Sequence, residues 1–258
     1  MSSRPSTAAV PIPKARKPVG IALVDKPAGP SSFAIVAALR RRTGARTGHA
    51  GTLDPFATGL LILLSGAATR LAPCFVGLDK RYVTDVDLTA TTSTGDPEGD
   101  VVERRPAPAR STVDSALEHL RGEIELPIPA ASAVKVGGER AYKLARRGVD
   151  VEMPLRRSRV FALDVISYSG DATATSSVRL SLHVSSGTYV RSIAQALGGH
   201  CTALRRTAVG PFDVGEAVPV DDARLMPAGA ALARLPEPAL GRVEVGIRDA
   251  VLALEEQP

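Results

Sequence analysis

At 258 residues, 44% hydrophobic and 23% charged, the chain can bury one large core or one and a half, and it holds no apolar run able to span a bilayer. An aromatic content of 3% without tryptophan argues against wide base-stacking platforms, and the distant Cys74 and Cys201 lack metal-ligand spacing, so reduced thiols in a cytoplasmic setting are expected. The net charge of +5 is uneven: residues 1–18 carry +4, residues 213–258 carry −5, and the stretch between carries +6, which suits a polyanionic partner.

Residues 1–18, rich in Pro, Ser, Ala and cations without periodicity, read as a disordered basic arm. Gly20 to Val24 reads as a short strand ending at Asp25, and Pro27, Gly29 and Pro30 then force a turn. Ser31 or Ser32 caps a helix over Phe33 to Arg42 with Phe33, Val36 and Ala37 as its apolar face. Its last turn, Arg40-Arg41-Arg42, either complements the helix dipole or, with Arg46, forms a basic entrance to the adjoining loop.

That loop is Gly48-His49-Ala50-Gly51-Thr52-Leu53-Asp54-Pro55-Phe56-Ala57-Thr58-Gly59, framed by glycines and leading into the buried strand Leu60 to Leu64. Asp54 there is either a turn residue ahead of proline or a carboxylate that does chemistry on a loop whose glycines admit close approach. In the second case His49 supplies a flat ring for stacking or insertion.

Further on, a helix over Ala67 to Val76 precedes a strand over Lys80 to Leu88 that carries Tyr82. Thr89 to Asp100 reads as a loop or hairpin turn, Ser111 or Thr112 opens a helix over Val113 to Arg121, and Pro127 and Pro129 break the chain before an extended Ala131 to Val136. Arg140 to Gly148 reads as a short helix with Arg140, Lys143 and Arg147 on one face, by themselves a solvated charged face. Arg156, Arg157 and Arg159 extend the basic surface, Val160 to Val165 and Val178 to Val184 read as strands, and a helix runs from Gly187-Thr188-Tyr189-Val190-Arg191 to Leu197. The layout is α+β, a mixed and largely antiparallel sheet flanked by helices.

Five stretches, in this order, resemble the motifs of the bacterial tRNA pseudouridine-55 synthases. They are Asp25-Lys26-Pro27-Ala28-Gly29-Pro30-Ser31-Ser32, the loop around Asp54, Asp79-Lys80-Arg81-Tyr82, Gly187 to Arg191 and Leu204-Arg205-Arg206, within a catalytic domain over roughly residues 19 to 225. The resemblance implies the pseudouridine synthase fold with a catalytic cleft across the sheet, and isomerisation of a T-arm uridine in tRNA by base flipping. It makes Asp54 the catalytic carboxylate, either attacking the substrate or starting loss of the 2′ proton, with Arg191 as its partner. Tyr82 would stack on the uracil and take the C5 proton, Tyr189 and Leu204 would line the same pocket, and His49 would fill the space the uridine leaves. Lys26 would face the RNA or support the loop, and Arg40, Arg41, Arg42, Arg46, Lys143 and Arg147 would contact phosphates.

Two departures accompany the resemblance. Ala196 stands where many relatives carry an acid, and the acidic segment 226–258, with one helix over Ile247 to Leu254, is too proline-interrupted for the RNA-binding PUA module that often ends the family. No metal and no organic cofactor are expected, since His49, His119, His183 and His200 lack ligand spacing and no nucleotide-binding glycine motif is present. The expected partner is the tRNA T-arm stem-loop, bound by a monomer, with no membrane. The rival readings are a tRNA-binding protein without catalysis and a glycoside hydrolase, the second of which needs a second acid facing the first. The sequence shows none in a comparable glycine-framed loop.

Overall fold

An unbroken apolar run such as Leu60-Leu61-Ile62-Leu63-Leu64 suits a strand whose sheet is covered on both faces. In the computed structural model, which describes residues 17–255 apart from 133, 142–146 and 148–151, this is its setting. β3 (Thr58–Ser65) pairs antiparallel along its length with β1 (Gly20–Lys26), and alternate residues enter different cores. Ile21, Leu23, Leu60, Ile62 and Leu64 pack into one; Ala22, Val24, Leu61 and Leu63 meet Ile35, Val36 and Leu39 of α1 (Ser32–Thr43) in another.

The main sheet runs in the order β1, β3, β12 (His200–Val209), β4 (Lys80–Asp87), β11 (Thr175–Val184), β10 (Leu155–Gly170) and β7 (Gly122–Pro127). β2 (Thr47–His49) adds to β3, and β13 (Phe212–Asp213) adds to β12. Among the described residues the one parallel pairing in it is β12 with β3, so the sheet is mixed and largely antiparallel, as expected. Two small hairpins stand apart, β5 (Ala90–Thr92) with β6 (Val101–Arg104) and β8 (Lys135–Val136) with β9 (Glu139–Arg140). A further core joins Val178, Leu180 and Leu182 of β11 to Val113 and Leu117 of α3 (Arg110–His119) and Ile193 and Ala194 of α4 (Val190–Ala196).

Several elements differ from the sequence reading. Phe33 is 72% exposed, because the buried stripe of α1 is Ser32, Ile35, Val36 and Leu39, and Ser31 rather than Ser32 is its N-cap. Residues 66–76 split into a 3-10 turn (Gly66–Leu71) and α2 (Ala72–Val76), with Pro73 in the first turn of α2, where its missing N–H costs nothing. α3 begins at Arg110, ahead of Ser111 and Thr112, and β10 runs far beyond the expected Val160 to Val165. β7 and β12 were not expected as strands; β12 carries adjacent arginines, yet it completes the sheet between β3 and β4.

Arg140 lies in β9 rather than in a helix, and the remainder of that expected helix, Lys143 included, falls mostly outside the described residues. So does the arm over 1–16. Among the described residues beyond 225 there are three helices instead of one: α5 (Ala228–Leu232), α6 (Glu237–Leu240) and α7 (Val245–Glu255). Ala228, Ala231, Leu232, Ala239 and Val251 from this segment enter the same core as Ile21 and Ile62. No described helix is long and apolar enough to cross a membrane.

Candidate active site

The Asp54 loop is held from three sides by groups that satisfy its backbone. Lys26, at the end of β1, is fully buried and its Nζ donates to the carbonyls of Pro27 (2.9 Å), Pro55 (3.0 Å) and Ala57 (2.6 Å). Arg206, on β12 and 1% exposed, donates to the carbonyls of Gly51 (3.1 Å), Thr52 (3.4 Å) and Leu60 (2.7 Å). The Ser32 hydroxyl, at the start of α1, accepts from the Leu53 N–H (2.8 Å) and donates to the Leu53 carbonyl (2.9 Å). Gly59 is required where β3 leaves the loop: its φ is +102°, and a Cβ there would lie 2.2 Å from the Arg206 carbonyl oxygen.

The loop thus presents Asp54 to Arg191, which the first turn of α4 brings in and which is 2% exposed. Arg191 Nη2 donates to Asp54 Oδ1 at 3.2 Å. Its Nε lies 2.9 Å from Oδ2 but off the N–H axis, so that contact is an ion pair rather than a second linear hydrogen bond. Nη1 meets Asp96 Oδ2 at 3.2 Å and the Thr94 carbonyl at 2.8 Å, and Nη2 also reaches the Ala131 carbonyl at 3.0 Å.

One guanidinium is therefore shared by two carboxylates and cannot neutralise both. Burial pushes the Asp54 carboxyl above its ordinary range, Asp96 adds to the rise, and Arg191 opposes it. Asp96 escaped the sequence reading, although Gly95-Asp96-Pro97-Glu98-Gly99 repeats the glycine-framed Asp-Pro signal of the first loop. A second acid in such a loop does exist, and it is buried against the arginine instead of facing the first acid across a gap.

Asp54 opens onto a cleft of about 300 Å³. Tyr82 from β4, Tyr189 from the turn before α4 and Leu204 from β12 line it, together with Lys80 and Arg206. Tyr82 and Leu204 are 8% and 7% exposed, and burial raises the Tyr189 phenol above its usual range. Lys80 donates to the Val76 and Leu78 carbonyls and to the Ser186 hydroxyl, and burial pulls it down to about 8. Lys26 is likewise pulled down to about 8 by burial, and with no exposed surface it supports the loop instead of meeting a ligand.

His49 is half-buried beside the loop, with the Phe33 ring nearly perpendicular to its own, and burial together with Arg206 lowers its pKa. Arg40, Arg41 and Arg46 are exposed. Arg42 differs, because its guanidinium donates to the carbonyls of Val220 and of Ala223 (3.2 Å), 178 and 181 residues away in sequence. Arg147 is exposed and pairs with Glu139 at 2.7 Å.

Five of the expected side chains, Asp54, Tyr82, Tyr189, Arg191 and Leu204, thus line one cleft, while Lys26 and His49 stand beside it. Chemically the cleft offers a carboxylate with free lone pairs, walls flat and apolar enough to receive a planar ring, and an arginine whose fixed hydrogen bonds prevent it from swinging away.

The model of the TruB family of pseudouridylate synthases, N-terminal domain, matches residues 40–190. The chain is 45% identical over 211 residues to a tRNA pseudouridine synthase B of Mycobacterium sp. (strain KMS), covering 78% of this chain and 71% of the relative. The corresponding Leifsonia xyli enzyme is 44% identical over 210 residues, with 77% and 69% covered. Among solved structures, a chain of a Cbf5-Nop10-Gar1 complex superposes with a TM-score of 0.56 at 30% identity, over 77% of this chain and 51% of that one. The present chain spans about half the length of that structure.

Proposed function

On the premise that this chain belongs to the TruB family and isomerises uridine in tRNA to pseudouridine, we propose that its target is the T-arm uridine and that Asp54 is its catalytic carboxylate. The observation that carries the reading is the pairing of Asp54 with the buried Arg191 at the mouth of an aromatic and apolar cleft. Pseudouridine formation breaks the bond from ribose C1′ to uracil N1, turns the base and rejoins it through C5. That chemistry needs an ionised carboxylate at the sugar and a proton acceptor near C5.

Each wall residue then has a task. Tyr82 and Leu204 hold the uracil between them while it is detached, Tyr82 takes the C5 proton, and Tyr189 closes the side of the cleft towards Arg191. Exclusion of water matters because a detached base must be recaptured before it diffuses away. A cleft of about 300 Å³ is at the small end for ligand sites and suits one nucleoside, so the uridine enters it flipped from the RNA stack. His49 fills the space it leaves. Arg40, Arg41 and Arg46, all exposed, contact phosphates of the same RNA.

The test uses tRNA transcript and purified protein, mapping pseudouridine by its resistance to glycosidic cleavage. Product at the T-arm uridine with wild type, and none with Asp54→Asn at matched RNA binding, is the expected result. Product at another uridine would overturn the T-arm assignment, and substantial turnover by the variant would overturn the role of Asp54.

A further inference from the structure

We propose that Phe33, set at right angles to His49, stacks on the base next to the flipped uridine and holds the opened RNA in register. The proposal rests on the reading of the chain as a tRNA-modifying enzyme. Singly exposed apolar side chains are ordinary on protein surfaces, so exposure of 72% at Phe33 is not by itself informative. Its fixed position and its open ring face are.

Ser32, the preceding residue, is 1% exposed and exchanges two hydrogen bonds with Leu53, the residue before Asp54. The first turn of α1 is therefore fastened to the catalytic loop, and Phe33 keeps a constant place relative to the carboxylate. Its ring centroid lies 5.3 Å from that of His49 with the planes at 81°, an edge-to-face corner in which a ring face remains available. Phe161, also partly exposed, differs on this point, because His183 (4.8 Å) and Arg159 (5.6 Å) already stand against its ring.

His49 adds a second observation. Its Nδ1 is buried and has no hydrogen-bond partner among the described residues. Burial and Arg206 favour its neutral form, and a neutral ring enters a base stack without carrying a charge into it. Flipping one base leaves its neighbour with an uncovered face, and an aromatic ring at the rim restores stacking there whatever the base is. A chain with nine Phe and Tyr residues and no Trp cannot build a wide platform, but this task needs one ring.

The experiment first maps the uridine that wild type modifies in whole tRNA, then places 2-aminopurine beside that position. A target outside the T arm would overturn the T-arm assignment and leave this test intact. Phe33→Ala should weaken RNA binding about tenfold and abolish the quenching of the bound probe, with Tm unchanged. Phe33→Leu should fail like Phe33→Ala, whereas Phe33→Tyr should restore both affinity and quenching. Unaltered affinity and quenching in Phe33→Ala, or full rescue by Phe33→Leu, would overturn the proposal.

Discussion

Two glycine-framed Asp-Pro loops meet on one arginine, and they differ in what the rest of the fold does to their acids. Asp54 keeps 32% of its side chain open to the cleft, while Asp96 keeps 4%. Asp96 is also tied at home, accepting from the Thr94 hydroxyl and from the Glu98 N–H (3.0 Å). Asp54 accepts from Arg191 alone among the described residues. The acid with satisfied oxygens fixes the arginine, and the acid with free lone pairs faces the cleft. Both loops share an Asp-Pro step between glycines, and the division of labour comes from burial and neighbours.

The widest separation between the two acids should appear on neutralising each. Asp54→Asn should lower kcat by at least about 10³-fold with RNA affinity almost unaltered, whereas Asp96→Asn should retain measurable turnover. Single-turnover rates and equilibrium binding on the same RNA decide this. Equal losses from the two variants would erase the distinction.

Removing the shared partner tests both loops together. Arg191→Gln leaves two carboxylates side by side in a buried place, which should cost about 3–5 kcal/mol in denaturant unfolding as well as most of the activity. A variant as stable as wild type would mean that the arginine does not hold the loops.

A subtler test uses the sign of each coupling. With Asp54 as the proposed catalytic carboxylate, activity should be lost as pH falls through a pKa that burial raises above the ordinary carboxylate value. Asp96 helps to raise that pKa and Arg191 lowers it. The acid limb of kcat/KM should therefore move to lower pH in Asp96→Asn and to higher pH in a weakly active Arg191→Lys, if the longer Lys contact weakens the ion pair. Movement in the same direction would contradict the arrangement. A raised carboxyl pKa also means that wild type loses stability as pH rises from the unfolded to the folded value. Asp54→Asn should accordingly gain Tm relative to wild type at pH 7 but not below pH 4.

The smallest effect belongs to the surface arginines, which repeat the contrast between tied and free groups. Arg46→Ala should reduce the slope of log Kd against log salt by somewhat under one unit, roughly 0.7–0.9 per lost phosphate contact. Arg42→Ala should leave the slope alone and reduce stability instead, since its guanidinium is held by Val220 and Ala223.

Much of this was legible in the sequence because it is decided locally. The apolar run of β3, the serine cap of α1, the glycine-framed Asp54 loop and the α+β layout follow from turn chemistry and hydrophobic pattern, which depend on near neighbours. The ordered motifs, through their resemblance to a family, pointed to Asp54, Tyr82, Tyr189, Arg191 and Leu204, which the fold gathers in one cleft. The features that sequence leaves open have distant partners. Lys26 reaches carbonyls 29 and 31 residues away, Arg206 clamps a loop 154 and 155 residues earlier, and Arg42 is claimed by a segment 178 residues on. The adjacent arginines of β12 show the reason most clearly: Arg206 is buried and Arg205 pairs with Asp25 (2.8 Å), because successive residues of a strand point to opposite faces and the environment of each face is built by other parts of the chain. A charged side chain announces its charge in the sequence, but whether it meets solvent, a carbonyl or a carboxylate is determined by what folds against it.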